Sequence, residues 1–275
     1  MLQVEKLSKR YGDRLAVNAI SFTIAAGEAV GLLGPNGAGK TTAIAMISGI
    51  ARPDGGQVTL CGVRVTHDAN VLKRRVGLVP QDLALYDELS AWQNLQLFGG
   101  LYGLNGKQLR RRADDALSLV GLADRRHERL KTFSGGMKRR LNIASALLHD
   151  PDLILLDEPT VGVDPQSRNA IFDNLRELKR RGKTLLYTTH YMEEAERICD
   201  RIVIVDHGQV VASGDREALQ RLLPGERPVK AEVEGVMDDE LLRLLATRGL
   251  VVKRQAASLE DVFLHLTGHQ LRDKS

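Results

Sequence analysis

Eight consecutive residues, Gly34-Pro35-Asn36-Gly37-Ala38-Gly39-Lys40-Thr41, with Thr42 following, gather three glycines, one ammonium group and two hydroxyls into one short stretch. The spacing is G-x-x-x-x-G-K-[ST], and each residue type in it suits an anion. Gly34, Gly37 and Gly39 lack a Cβ, so the backbone is free to turn through positive φ and aim successive N–H groups at one centre. In such a loop Lys40 reaches the β- and γ-phosphates of a nucleotide, and the Thr41 hydroxyl is a Mg²⁺ ligand. A glycine-rich turn kept only for packing remains the alternative, and the loop alone does not decide between them.

Further along, polar residues recur at the ends of short apolar runs. Residues 76–81 read as a buried strand that Pro80 stops, presenting Gln81 where open α/β sheets place ligand contacts. Residues 152–157 form a run too short for a typical helix, ending in Asp157-Glu158 before Pro159. Alternation along a strand sends these two carboxylates to different sides, so that one can stand by a metal and the other by an attacking water. Residues 183–190 are a similar strand ending at His190, a residue that alone would read as structural. Ser134-Gly135-Gly136 precedes a helix through Leu148, with Ser134 placed as its N-cap. Its free amides are a second potential anion site, or simply a capped helix. Tyr11, beside the turn Gly12-Asp13, could stack on a base or be an ordinary hairpin aromatic.

The elements that must hold these residues follow from local pattern. Residues 28–33 are an apolar run that reads as a buried strand, and 41–49 read as a helix, which puts the glycine loop at a helix N-terminus whose macrodipole favours a triphosphate. Residues 2–24 alternate as strands, 57–60 make another, and 69–75 make a short helix. From 89 to 130 the composition turns to helix formers, interrupted at Gly99-Gly100 and between Gly103 and Gly106, so two or three short helices are expected. An amphipathic helix at 165–181 follows the loop 160–164, and 202–206 with 209–213 make a hairpin. Residues 223–228, with two prolines, mark a boundary, and 229–268 read as a small β-α-β-α appendage.

Composition sets outer limits. With 275 residues and 43% hydrophobic content, the chain can bury one large core and an appendage, which argues against disorder. The formal charge of +4 suits an anionic ligand or a membrane face but is too small to argue for nucleic acid, and aromatics at 4% leave little for base stacking. Cys61 and Cys199 have no metal-like spacing. No stretch reaches the roughly 18 apolar residues of a membrane span, so a soluble or peripheral chain is expected, and any spanning falls to another polypeptide.

Taken in order, Gly34 to Thr42, Gln81, Ser134-Gly135-Gly136, Leu153 to Glu158, Asp164 and His190 resemble the motif set of ATP-binding cassette (ABC) ATPases over about residues 2–220. The C-terminal end, with residues 258–264 and 266–268, resembles the exporter branch, whose ATPase pairs with a separate integral membrane permease. The fold this implies is α/β: a P-loop NTPase core with a mixed sheet, an N-terminal antiparallel subdomain, an inserted helical subdomain at about 86–132 within a cassette of 1–222, and a small α+β region at 223–275. The resemblance also implies roles. Tyr11 stacks on adenine; Gly34, Pro35, Asn36, Gly37, Ala38, Gly39, Lys40, Thr41 and Thr42 wrap the phosphates of ATP. Gln81 touches Mg²⁺ and the water, Asp157 holds the metal through water, Glu158 is the general base, and His190 contacts the γ-phosphate. Ser134 and Gly136 act on the nucleotide of a second copy, with Asp164 across that interface and Gly135 serving the turn. The expected place is the cytoplasmic side of the cell membrane. Met137 stands where the family commonly has Gln, Val163 where Leu is frequent and Gln93 where Glu is frequent. A soluble family member acting on ribosomes or DNA is the competing reading; it usually carries two cassettes or long coiled coils, and neither is present here. A plain nucleotide kinase would leave Ser134-Gly135-Gly136 and His190 unexplained.

Overall fold

The computed structural model of the chain describes residues 1–66, 74–222, 230–231, 254–255 and 265–267. Strands β1 (Leu2–Tyr11) and β2 (Arg14–Ile24) form a hairpin across Gly12-Asp13, followed by β3 (Ala29–Leu33), helix α1 (Lys40–Ile47), β4 (Gly55–Leu60) and β5 (Val63–Arg64). Next come β6 (Val76–Val79), α2 (Ala91–Leu101), α3 (Gly106–Leu119), two single 3-10 turns, α4 (Gly135–Leu147) and β7 (Leu153–Asp157). The remaining cassette elements are α5 (Pro165–Arg180), β8 (Thr184–Thr189), α6 (Met192–Ile198), β9 (Arg201–Asp206), β10 (Gln209–Gly214) and α7 (Arg216–Gln220). Two-residue strands Lys230–Ala231 and Arg254–Gln255 pair antiparallel. The expected helix at 69–75 and the appendage at 229–268 lie largely outside the described residues.

Two sheets result. One is antiparallel, in the order β2-β1-β4-β5; the other is mixed, in the order β10-β9-β3-β8-β7-β6, with only β10 antiparallel to its neighbour. The larger sheet is apolar on both faces because period-2 alternation serves two cores at once. Leu153 and Leu155 of β7 pack with α1 and the antiparallel sheet. Ile154 and Leu156, one step out of phase, pack with α2 to α5. Each such leucine, fully buried, contributes on the order of 1.5–3 kcal/mol. A third cluster, around Leu33, Met192 and Ile204, is touched by Leu266 from near the C-terminus.

The helical region differs from expectation in one respect. Gly99 and Gly100 do not interrupt α2, which runs through both to Leu101. Gly99 serves packing instead: a Cβ there would collide with Leu109 of α3. The break comes later, at Tyr102-Gly103, where Gly103 has φ 79°. The start of α2 is fixed by a capping box: Gln93 N–H donates to Ser90 Oγ (3.1 Å) and Ser90 N–H to Gln93 Oε1 (2.8 Å). The amide oxygen of Gln93 therefore fills the role a glutamate would fill there.

For function, the decisive feature is the direction of the parallel strands. β3, β8, β7 and β6 are adjacent, and their carboxyl ends lead respectively into the glycine loop, His190, Asp157-Glu158 and Gln81. Four segments far apart in sequence thus emerge on one edge of one sheet.

Candidate active site

The glycine loop leaves β3 and feeds α1 through Gly39, whose φ of 98° marks the helix start. Gly37 (81°) and Gly39 adopt positive φ, as the sequence predicts. Gly34 does not; its lack of a Cβ is required because a side-chain carbon would run into the Val205 carbonyl of β9. Helix α1 has no side-chain cap and no acidic residue in its first turn, so its leading amides are not consumed by the chain itself.

Around the loop lies a cavity of about 320 Å³, lined by Tyr11, Arg14, Ala16, Asn36, Gly37, Gly39, Lys40, Thr41, Thr42, Gln81 and Glu158. That volume is in the range of small-ligand sites. Tyr11 is half exposed at the cavity mouth. It ends β1 and is not a loop residue, and Lys9 Nζ stands 5.6 Å from its ring centroid. Lys40 is 4% exposed and donates to the carbonyls of Gly34 (2.8 Å) and Pro35 (3.0 Å). Its Nζ also lies 3.1 Å from Glu158 Oε1, a buried ion pair.

The carboxylates are arranged differently from strand alternation. β7 ends at Asp157, and Glu158 has φ 45°, a left-handed conformation that lifts it out of the strand. Thr188 of β8 joins the two residues: its hydroxyl donates to Asp157 Oδ1 (2.7 Å) and accepts from the Glu158 N–H (3.0 Å). Burial pushes the Asp157 carboxyl above its usual range against hydrogen bonds from Thr188 and Thr41. Burial also pushes Glu158 up, but His190 and Lys40 outweigh it and hold that carboxyl below its usual range. His190 Nδ1 comes within 3.2 Å of Glu158 Oε2, without the alignment of a hydrogen bond.

Behind this pair lies a buried network absent from the sequence reading. Glu194 of α6, 3% exposed, accepts from Thr160 (2.9 Å), Tyr187 (2.8 Å) and Thr189 (2.8 Å), and Arg168 of α5 approaches to 3.7 Å. Thr160 follows Glu158 by two positions and Thr189 precedes His190, so one carboxylate fastens both segments. The detectable signal was the run of hydroxyl residues at the end of the otherwise apolar β8. Arg14, which donates to the Gly37 carbonyl (3.1 Å), was also missed, because a lone arginine on a hairpin carries no pattern.

Ser134, Gly136 and Asp164 do not line the cavity. They form a second cluster at the N-termini of α4 and α5. Ser134 caps α4 by accepting from Met137 N–H (3.2 Å). Asp164 caps α5 by accepting from Ser167 N–H (2.9 Å), a bond that holds its carboxyl below the usual range. Gly135 does not serve the turn as expected: its φ is not positive, and no heavy atom lies within 4 Å of where its Cβ would be. Met137 turns into its own chain, its sulfur accepting from Arg125 (3.3 Å). Gly136 is packed against Ser167, whose Cβ and Oγ would collide with any added Cβ. Gly136→Ala is expected to cost about 1–3 kcal/mol by overpacking, and adding Ser167→Gly should restore most of the lost Tm. An unshifted Tm in the single variant would contradict this packing.

A triphosphatase of the P-loop class is what the loop, the helix N-terminus and the strand-end carboxylates define. Comparison with known proteins narrows the class. The family model described as ABC transporter matches residues 17–161. The linearmycin resistance ATP-binding protein LnrL of Bacillus subtilis is 44% identical over 265 residues, 96% of this chain and 82% of that protein. Nod factor export ATP-binding protein I of Burkholderia lata is 40% identical over 299 residues, 99% of this chain and 98% of that protein. A solved ATP binding subunit of an ABC transporter superposes with TM-score 0.76 at 31% identity, covering 97% of this chain and 99% of that one. A dimeric ATP-binding cassette in a post-hydrolysis state, bound to ADP and Pi, superposes with TM-score 0.71 at 27% identity over 78% of this chain and 98% of that one. The chain belongs to the ABC transporter family and is an ATP-binding ATPase.

Proposed function

We propose that this chain is the ATPase subunit of an export complex in which two copies close over two ATP molecules, the Ser134–Gly136 turn of each completing the site of the other. The observation that carries this reading is the division of the motif residues into two clusters within one chain: one that lines the cavity or, like Asp157 and His190, touches residues that do, and one at the N-termini of α4 and α5. Free space over Gly135 supports it, since no contact outside its own helix among the described residues requires a glycine there. The related cassette with ADP and Pi is itself a dimer.

Within the site, the loop of residues 34–42 wraps the phosphates with its free N–H groups and the Lys40 ammonium facing them, and Tyr11 stacks on adenine. Lys40 would exchange the carbonyls of Gly34 and Pro35 for phosphate oxygens. The oxygen donors of Thr41 and Gln81, with buried Asp157 beside the Thr41 hydroxyl, suit a hard cation such as Mg²⁺. Thr41 and Gln81 would hold it directly and Asp157 through water, and when bound it neutralises charge on the β- and γ-phosphates. Glu158 accepts a proton from the attacking water, and His190 contacts the γ-phosphate and holds the geometry of Glu158. Asp164 lies across the interface between copies.

Two relatives named for resistance and for export match the chain over nearly its whole length, which supports export. Among the described residues no helix is long and apolar enough to cross a membrane. In this reading the pore belongs to a separate permease, with this chain on the cytoplasmic side of the cell membrane. Exposed Leu83, Tyr86, Leu97 and Leu101, in and beside the helical part at 86–132, suit contact with it. In this reading 1–222 is the cassette and 223–275 an accessory region.

The dimer is tested by light scattering on the Glu158→Gln chain. Mg·ATP should double the mass, and a mass that stays single at saturating nucleotide removes the composite site. Copurification from membranes with a polytopic protein tests the permease.

A further inference from the structure

Arg139 lies on α4, one turn beyond the Ser134–Gly136 turn, and is 7% exposed. Its Nη1 reaches away from the helix to the main chain of another segment, donating to the carbonyls of Pro80 (3.1 Å) and Gln81 (2.6 Å). The next residue back, Lys138, pairs with Asp87 at 2.7 Å, and the Lys131 N–H donates to the Asp87 carbonyl (3.1 Å). The loop from Gln81 to Asp87 is therefore gripped at both ends by α4 and the turn before it. Gln81 itself is exposed along its side chain and lines the cavity, so its position depends on its backbone, and Arg139 sets that backbone.

We propose that Arg139 is a positioning residue for hydrolysis: it ties α4 to the Gln81 backbone, so that movement of the Ser134–Gly136 turn on one nucleotide resets Gln81 on the other. This rests on the reading that Gln81 acts in the cavity and the Ser134–Gly136 turn acts across a dimer. A buried guanidinium suits the task because Nη1 carries two N–H bonds fixed in the plane of the group, one for each of two successive carbonyls. Both hydrogen bonds are only partly buried, with Pro80 half-buried and Gln81 exposed, so water can take up the carbonyls and Arg139→Met should still fold.

The test uses the full chain with Arg139→Met, Arg139→Lys, Gln81→Ala and the Arg139→Met/Gln81→Ala pair. If Arg139 acts through Gln81, Arg139→Met lowers kcat by about tenfold or more through misplacement, with KM for ATP changed much less. Arg139→Lys should recover part of the loss, and the double variant should be no slower than Gln81→Ala, because both changes act through one group. A second readout needs no turnover. A non-hydrolysable ATP analogue should slow amide hydrogen exchange across residues 80–88 in the parent chain, and Arg139→Met should lose that slowing while residues 34–42 keep theirs. Additive losses in the double variant, or unchanged slowing across 80–88 in Arg139→Met, overturn the proposal. Parent-like turnover in Gln81→Ala would instead overturn the reading of Gln81 on which it rests.

Discussion

Replacing Glu158 with Gln is expected to leave ATP bound and to slow its turnover by a factor of about 10² or more, the usual loss when a general base is removed. The geometry explains why binding survives. Glu158 is not part of the glycine cradle, and the amide of Gln keeps an oxygen within reach of Lys40, which also retains the Gly34 and Pro35 carbonyls. What disappears is the negative charge. Lys40 and His190 hold the carboxyl of Glu158 below its usual range despite burial, so at neutral pH it stands ionised and able to take a proton from water. An amide cannot do so. Single-turnover hydrolysis beside equilibrium nucleotide binding separates the two effects, and near-normal hydrolysis in the variant would remove Glu158 from the mechanism.

Lys40→Ala should fail in the opposite way, at binding. Charge-assisted hydrogen bonds contribute about 1.5–3 kcal/mol each, so losing the ammonium that faces the phosphates should weaken ATP by roughly tenfold to more than a hundredfold. A second effect arises inside the protein. Lys40 and Glu158 are both nearly buried and 3.1 Å apart, so deleting one leaves the other poorly compensated. Breaking such a pair commonly costs about 3–5 kcal/mol, here moderated by His190 beside Glu158. A lower Tm should therefore accompany the loss of affinity. Calorimetric titration with ATP checks the first effect and thermal unfolding the second, and unchanged ATP affinity would contradict the role given to Lys40.

Much of this arrangement was legible in the sequence, and most of the parts that were not share a cause. Apolar runs ending in a polar residue disclosed β3, β6, β7 and β8, and with them the edge on which Gln81, Asp157 and His190 emerge, because a buried parallel strand has only its carboxyl end free for chemistry. Local pattern also gave Ser134 as a cap. It could not give Thr188 linking Asp157 to Glu158, Arg139 reaching Gln81, or Ser167 pressed on Gly136, since each is a contact between segments set by packing. Gly34 and Gly99 show the same limit. Sequence marks a glycine, but whether it serves a left-handed turn or a tight approach is decided by what lies opposite. Glu158 is a different kind of miss, where strand alternation was extended one residue beyond the strand and the left-handed conformation at that position intervened.

The carboxylate of Glu194 offers a last consequence. Because it fastens Thr160, Tyr187 and Thr189 at once, the segments bearing Glu158 and His190 share an anchor that is not among the residues lining the cavity. Damage to that anchor would not tune one partner while sparing the other. Both would fail together, so this short helix is a common point of vulnerability for two residues that are 32 positions apart in the chain.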